Sequence, residues 1–395
     1  IGWCDWSSDV CSSDLNNFRN AWDVRMLPPG DGPLWSSLNC RKGIEYGLDY
    51  GNYFPHIWVG NDDVGLCFSG ENDRGWTPDD RTPAQEITRE GGTTRFRMNV
   101  VSKPVAVTKD GHRFTFILTP TPAKPEPKGW RGWNRARRGT PLSVYDAIDD
   151  FVGFPMKSDP AKPESLKFDL EPKSWEAAAQ QRQSIREKFG EENPVFLYID
   201  YSWPKPGPSF ADWNHDLWAG TGRIAWIPEF EDYLVWVMNE YISRGLIEGV
   251  YIDDASLGRT YSLASTAYPV DWNERKRRMG FSTMGFRRFC QRVWKLFEAN
   301  GMTPHILPHM TYCFELPAFS FCTAIVNGEA RMINLGARHD TMDAWSRDEL
   351  RIMGNGPKWG LATFWKPTVE VNGIIPKPME AWHYWQCRTL HEIGR

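Results

Sequence analysis

The chain has 395 residues, a formal net charge of −4, 41% hydrophobic residues and 24% charged residues. That length allows two or three domains with sizeable cores. Its basic clusters, Arg135-Ala-Arg-Arg138 and Arg275-Lys-Arg-Arg278, are too short for a nucleic-acid groove, and no apolar run approaches a membrane span. The aromatic content stands out, with 21 Trp, 21 Phe and 13 Tyr. Indole rings stack on the C–H faces of sugars, and they also fill large apolar cores, so both readings stay open.

The first fifteen residues stand apart. Asp5-Trp-Ser-Ser-Asp-Val-Cys-Ser-Ser-Asp-Leu15 reads as a translated short-read sequencing adapter, and Ile393-Gly-Arg395 fits the opposite adapter strand. The expectation is an open reading frame cut at one or both ends, with residues 1–15 outside the fold. Any export signal would then be lost, and the full-length protein is expected to be periplasmic or extracellular. Setting aside Cys4 and Cys11, the six other cysteines show no paired metal spacing and no dense disulfide framework.

Residues 16–128 read as an antiparallel β-sandwich. Strand patterns recur at 56–59, 65–68, 94–101 and 113–118, separated by Gly60-Asn-Asp-Asp63, Gly91-Gly92 and Lys109-Asp-Gly111. Pro120-Thr-Pro-Ala-Lys-Pro-Glu-Pro127 is expected to end the strands, because four prolines in eight residues cannot continue a ladder. Residues 129–170 carry no clear element before Leu166-Lys-Phe-Asp-Leu170.

From residue 173 helix and strand alternate. Trp175 to Phe189 reads as a helix rich in Ala, Gln, Arg and Glu. Val195-Phe-Leu-Tyr-Ile-Asp200 reads as a strand. Phe230, Tyr233, Leu234, Val237 and Tyr241 have amphipathic-helix spacing. The strand Val250-Tyr-Ile-Asp253 follows, and Phe286, Phe289, Cys290, Val293 and Phe297 mark another helix. Strands near 306–311, 323–329 and 359–365, with a short helix at 345–353, complete the pattern. The expected architecture for 129–395 is a (β/α)8-type barrel, incomplete at its C-terminus because about six strands are identifiable.

The chain is organised around Gly249-Val-Tyr-Ile-Asp-Asp254, a buried strand ending in two carboxylates. Ligands of such folds sit beyond the carboxyl ends of the strands. The plainer alternative is a helix N-cap beside a surface acid. Alternation aims the other strands too: if Val195, Leu197, Ile199, Val250 and Ile252 face the helices, then Phe196, Tyr198, Asp200, Tyr251 and Asp253 face inward. The same parity puts Leu307, His309 and Thr311 inward, then Ile325, Asn327 and Glu329. Acids gathered at one rim raise each other's pKa, which a catalytic site exploits and a scaffold avoids. Two carboxylates flanking a glycosidic bond perform its hydrolysis. Trp203, Trp226 and Trp365, with Tyr201 and Lys366 beside them, are candidates for the sugar platform. Each such Trp alternatively only packs.

Several stretches carry a resemblance: His56-Ile-Trp-Val-Gly-Asn61, Gly65-Leu-Cys-Phe68, Glu71-Asn-Asp-Arg-Gly-Trp76, Thr119-Pro-Thr-Pro-Ala-Lys-Pro125, Gly249-Val-Tyr-Ile-Asp253, His309-Met-Thr311 and Asn327-Gly-Glu329. Over roughly residues 40–390 the chain resembles a bacterial glycoside-hydrolase-like family similar to the family 123 β-N-acetylgalactosaminidases. The resemblance implies a β-sandwich followed by a (β/α)8 barrel, with Asp253 and Glu329 at acidic strand-end positions. Asp254 departs from it, because glycine is common there.

Two mechanisms follow. In one, Asp253 is nucleophile and Glu329 acid/base of a double displacement. In the other, Asp253 and Asp254 act together on a substrate whose own N-acetyl group attacks. Asp200, Tyr201, Trp203, His309, Trp365 and Lys366 would bind the sugar, an N-acetylhexosamine or galactose type. No metal or cofactor is expected, since the eight histidines show no HxH or HExxH spacing. The competing class is a non-catalytic carbohydrate-binding or scaffold protein on the same fold.

Overall fold

The protein is represented by a computed structural model. It describes residues 9–12, 23–38, 53–130 apart from 78, 80, 107, 108, 110, 112 and 113, the pairs 156–157 and 167–168, then 172, 174–191, 194–200, 218–219, 223–224, 226–253, 255, 259–271, 276–309, 314–327 and 356–365.

Eight antiparallel strands come first: β1 (Asp9–Ser12), β2 (Asp23–Met26), β3 (Gly32–Ser36), β4 (His56–Gly60), β5 (Gly65–Gly70), β6 (Gln85–Glu90), β7 (Thr93–Met98) and β8 (Phe116–Thr121). They make a five-stranded sheet, β2-β1-β4-β5-β8, and a three-stranded sheet, β3-β6-β7. Alternation decides which side chains meet. Ile57 of β4, Trp35 of β3 and Ile87 of β6 share one buried cluster. Phe68 of β5 lies 6.0 Å from Phe96 of β7, ring to ring. The tight turn between β4 and β5 is closed by Asn61, whose side chain accepts from the amides of Asp63 at 2.9 Å and Val64 at 2.8 Å.

β8 runs through Pro120, opposite Leu66, and stops at Thr121, inside the proline stretch expected to end it. β8 is the outer strand of its sheet, where a residue without an amide hydrogen is tolerated. Residues 1–15 were expected to lie outside the fold, yet Asp9–Ser12 pairs with β2 on one side and β4 on the other. An open strand edge offers unpaired backbone groups to any extended segment, whatever its side chains.

The second half is built on parallel pairing. Among the described residues, five strands carry this parallel pairing, β9 (Phe196–Asp200), β10 (Gly249–Asp253), β11 (Ile306–Pro308), β12 (Ala324–Asn327) and β13 (Ala362–Trp365), and short antiparallel pairs such as Tyr268–Asp271 with Lys276–Arg278 lie outside it. β9, β10 and β11 form one sheet, β12 and β13 another, and a bridge from His309 to Val326 links the two. Consecutive parallel strands need a crossover between them. Helix α2 (Pro228–Ser243) connects β9 to β10, and α3 (Thr283–Ala299) connects β10 to β11. A 3₁₀ turn at Leu316–Phe321 serves β11 to β12. Helix α1 (Trp175–Phe189) precedes β9, and Ser174 caps it by accepting from the amide of Ala177. The apolar stripes of α2 (Phe230, Leu234, Val237, Tyr241) and α3 (Phe286, Phe289, Val293, Phe297) join Leu197, Ile199, Val250 and Ile252 in one core.

Trp359 was expected to open the last strand but ends a short helix, Gly356–Trp359, before β13. The expected helix at 345–353 lies outside the described residues. The two halves meet through Trp58. Its indole lies over Gly65, where an added Cβ would stand 2.4 Å from the ring, and packs 5.2 Å from Trp359. That close approach is why β5 opens on glycine.

Candidate active site at the end of β10

In a parallel sheet, residues paired in register share a face. Asp200 pairs with Asp253 and Tyr198 with Tyr251, so the carboxyl ends of β9 and β10 lie side by side. Tyr251 pairs in turn with Leu307, and the amide of His309 donates to the Ile252 carbonyl at 2.7 Å. Tyr198, Tyr251 and His309 therefore line up across three strands. Their ring centroids are 5.3 Å and 6.0 Å apart, the second pair stacked.

Asp253 sits at the end of this row. The Tyr198 hydroxyl donates to its Oδ2. Its Oδ1 lies 2.7 Å from His309 Nδ1. The side chain of His309 is 2% exposed and that of Asp253 is 26% exposed, so the carboxylate faces open space and the imidazole backs it. Here alternation aimed the side chains as expected: Tyr198, Tyr251, Asp253 and His309 share a face, while Val250 and Ile252 are buried in the core.

The parity expected for β12 is not found at the next rung. The bridge from His309 reaches Val326, not Ile325 or Asn327. Below it, the Thr323 amide bonds the Ile306 carbonyl at 2.9 Å. The two contacts differ in register by one residue, and a one-residue slip exchanges the faces of a strand.

The other candidates divide as follows. Glu329, Asp254, Tyr201, Trp203 and Lys366 lie outside the described residues. Asp200 and Trp365 are placed by their backbones, Asp200 beside Asp253 and Trp365 beside Asn327. Trp226 is no sugar platform. It is 3% exposed and packs on Phe230, Phe286 and Phe289 at 5.3–5.7 Å. A Trp just ahead of an amphipathic helix closes the core at that helix's start.

The Tyr198 hydroxyl is a contact that sequence reasoning missed. The signal was available, since Tyr198 shares the parity of Asp200 and is one strand from Asp253. Also missed were two acids with raised pKa values, Glu71 and Glu315. Glu71 Oε1 accepts from the amide of Met284 at the start of α3, at 2.9 Å. Burial raises the Glu71 pKa above the usual carboxylate value despite that bond. Glu315, just before the 3₁₀ turn, is 1% exposed, and burial, helped by the Glu71 charge, pushes its pKa to about 8.

Among the described residues, no three His, Cys, Asp or Glu side chains are grouped to hold a metal ion, and no helix is long and apolar enough to cross a membrane. No protein-family model matches the chain, and no curated protein matches its sequence. Among solved structures it is similar to an alpha-galactosidase from Lactobacillus brevis, with 9% identity and a TM-score of 0.37, over 98% of this chain and 60% of that one. The chain thus spans about 60% of that enzyme's length.

Proposed function

We propose that this chain is a glycoside hydrolase acting with paired carboxylates at the C-terminal rim of a (β/α)8-type barrel, which follows a β-sandwich. The observation that carries the reading is Asp253: a part-exposed carboxylate at the carboxyl end of the middle strand, held by side chains from both flanking strands. That is where barrel enzymes place their chemistry. A helix cap would point to backbone amides, whereas Asp253 engages two side chains on its own sheet face.

In this proposal Glu329 or Asp254 is the second carboxylate, one acid protonating the leaving oxygen while the other stabilises or attacks the anomeric carbon. Asp200, Tyr201, Trp203, Trp365 and Lys366 surround the sugar, an N-acetylhexosamine or galactose type. The same proposal has the full-length protein exported, where polymeric sugars are met.

The test is turnover of p-nitrophenyl N-acetyl-β-galactosaminide and p-nitrophenyl galactosides by the parent and by Asp253→Asn. The variant keeps shape and loses charge, so turnover is expected to fall by about 10²–10⁴-fold with an unchanged circular dichroism spectrum. Equal turnover of parent and variant would sink the assignment. So would sugar binding by calorimetry with no hydrolysis of any glycoside, the outcome that marks a non-catalytic binding protein. On an active form, the anomer released first, read by proton NMR, separates retention from inversion.

A further inference from the structure

Asp253 is the exposed tip of a row whose other members are packed. Tyr198 and Tyr251 lie side by side on β9 and β10, and His309 stacks on Tyr251 from the end of β11. Tyr251 is 2% exposed and His309 is 2% exposed, so neither ring can swing without disturbing the core. The row presents two polar atoms to one carboxylate, a phenol oxygen at Oδ2 and an imidazole nitrogen at Oδ1. Phenol is a donor here and the carboxylate an acceptor; Nδ1 completes the pair when it carries the ring proton. Donors on both oxygens favour the ionised form over the protonated one, which accepts less. They also fix the carboxylate plane, because the donors come from strands on opposite sides.

We propose that Tyr198 and His309 are positioning residues that hold Asp253 as an oriented carboxylate toward the sugar, so that Asp253 is the ionised member of the pair and the proton donor is a different rim acid. This rests on the glycoside hydrolase reading. His309 acts through Asp253, not on substrate: the carboxylate is the part-exposed group and the imidazole lies behind it. The stacked Tyr251 supplies the spacing that lets both donors reach one carboxylate.

Two measurements on the full chain test this. In kinetics with p-nitrophenyl N-acetyl-β-galactosaminide, Tyr198→Phe and His309→Asn are expected to lower kcat by about 10- to 100-fold, the effect of losing one hydrogen bond to a charge. KM should stay within about twofold, since the lost groups do not touch substrate. The acid limb of the pH–kcat profile should move to higher pH in both variants. If Asp253→Asn is inactive while both variants match the parent in kcat and in acid limb, the positioning roles are wrong and the glycosidase reading stands. If Asp253→Asn keeps full turnover, that reading itself fails.

The second measurement needs no substrate. In histidine-15N-labelled protein, with His309→Asn assigning the signal, the His309 ring is expected to carry a slowly exchanging proton on Nδ1, and Asp253→Ala to remove that protection. A His309 ring with a bare Nδ1, or one whose Nδ1 proton is unaffected by Asp253→Ala, overturns the proposal whether or not any glycoside is cleaved.

Discussion

Two buried residues give the protein opposite responses to pH. His56 is fully buried beside Ser69, and burial lowers its pKa to about 3 from an ordinary 6.5. The unfolded chain therefore binds a proton at this ring between about pH 6.5 and 3 that the folded chain does not, and stability falls as pH drops through that window. Glu315 acts the other way. Its folded pKa of about 8 lies above the ordinary 4.5, so the folded chain holds a proton that the unfolded chain releases. Its contribution is fully present below about pH 4.5 and is lost as pH rises toward 8. The two contributions oppose each other between about pH 4.5 and 6.5. Glu315→Gln removes the alkaline slope while keeping a similar shape. Melting temperature measured at pH 5.5 and pH 8 should fall less in the variant than in the parent. Glu71, also raised by burial, leaves a residual slope of the same sign in both. An equal fall in the two proteins would show that Glu315 ionises in place without cost.

At the scale of the element, β10 pairs closely with β9 because its first residue is small. A Cβ at Gly249 would come within 2.3 Å of the Phe196 ring, on the rung where β9 and β10 begin to pair. Phe196 is fully buried and cannot yield. Gly249→Ala is therefore expected to cost about 1–3 kcal/mol, the usual range for overpacking, and to lower the urea midpoint accordingly. An unchanged midpoint would mean that the two strands part easily at that end. The legibility of the sequence follows from the same kind of detail. Helices α2 and α3 were legible because their apolar residues recur at helical spacing over four turns, and β9 and β10 because aliphatic and polar residues alternate up to a carboxylate. β12 was legible as a strand but not in its facing, because the register change between Thr323 and Val326 leaves no mark in residue type. Strands β3 and β6 were missed, since Gly32-Pro-Leu-Trp-Ser36 has no alternation and Gln85-Glu-Ile-Thr-Arg-Glu90 is mostly polar. Asp253 and His309 could be brought together from alternation alone. The Tyr198 contact was within reach of the same reasoning, but the role of Trp226 was not, because an indole does not announce which face it occupies.

At the scale of the whole molecule, the loop after β5 straps the two halves together. The Glu71 carbonyl accepts from the Phe281 amide at 2.6 Å, and the Asn72 side chain donates to the Thr266 carbonyl at 2.8 Å. Asp73 is 3% exposed and accepts from the Tyr268 hydroxyl at 2.6 Å, with Arg278 Nη2 at 2.9 Å. Every partner lies between β10 and the first turn of α3, in the excursion that leaves the sheet directly after Asp253. Removing one partner of a buried ion pair leaves the other charge poorly compensated, at a cost of about 3–5 kcal/mol for a fully buried pair. Arg278 is 27% exposed and recovers part of this through water, so Asp73→Ala is expected to cost less, about 2 kcal/mol. The loss should be local. Trypsin should cut the Lys276–Arg278 strand faster in Asp73→Ala than in the parent, while far-UV circular dichroism changes little, because α2, α3 and the parallel strands keep their own core. If the strap also sets the rim, glycoside turnover should fall in the same variant, because the excursion that Asp73 holds through Tyr268 and Arg278 begins directly after Asp253. Parental rates of cleavage at 276–278 would show that the excursion is held by Phe281 and Met279 in their apolar cluster with Tyr53 and Trp76, and that the charges add nothing to it.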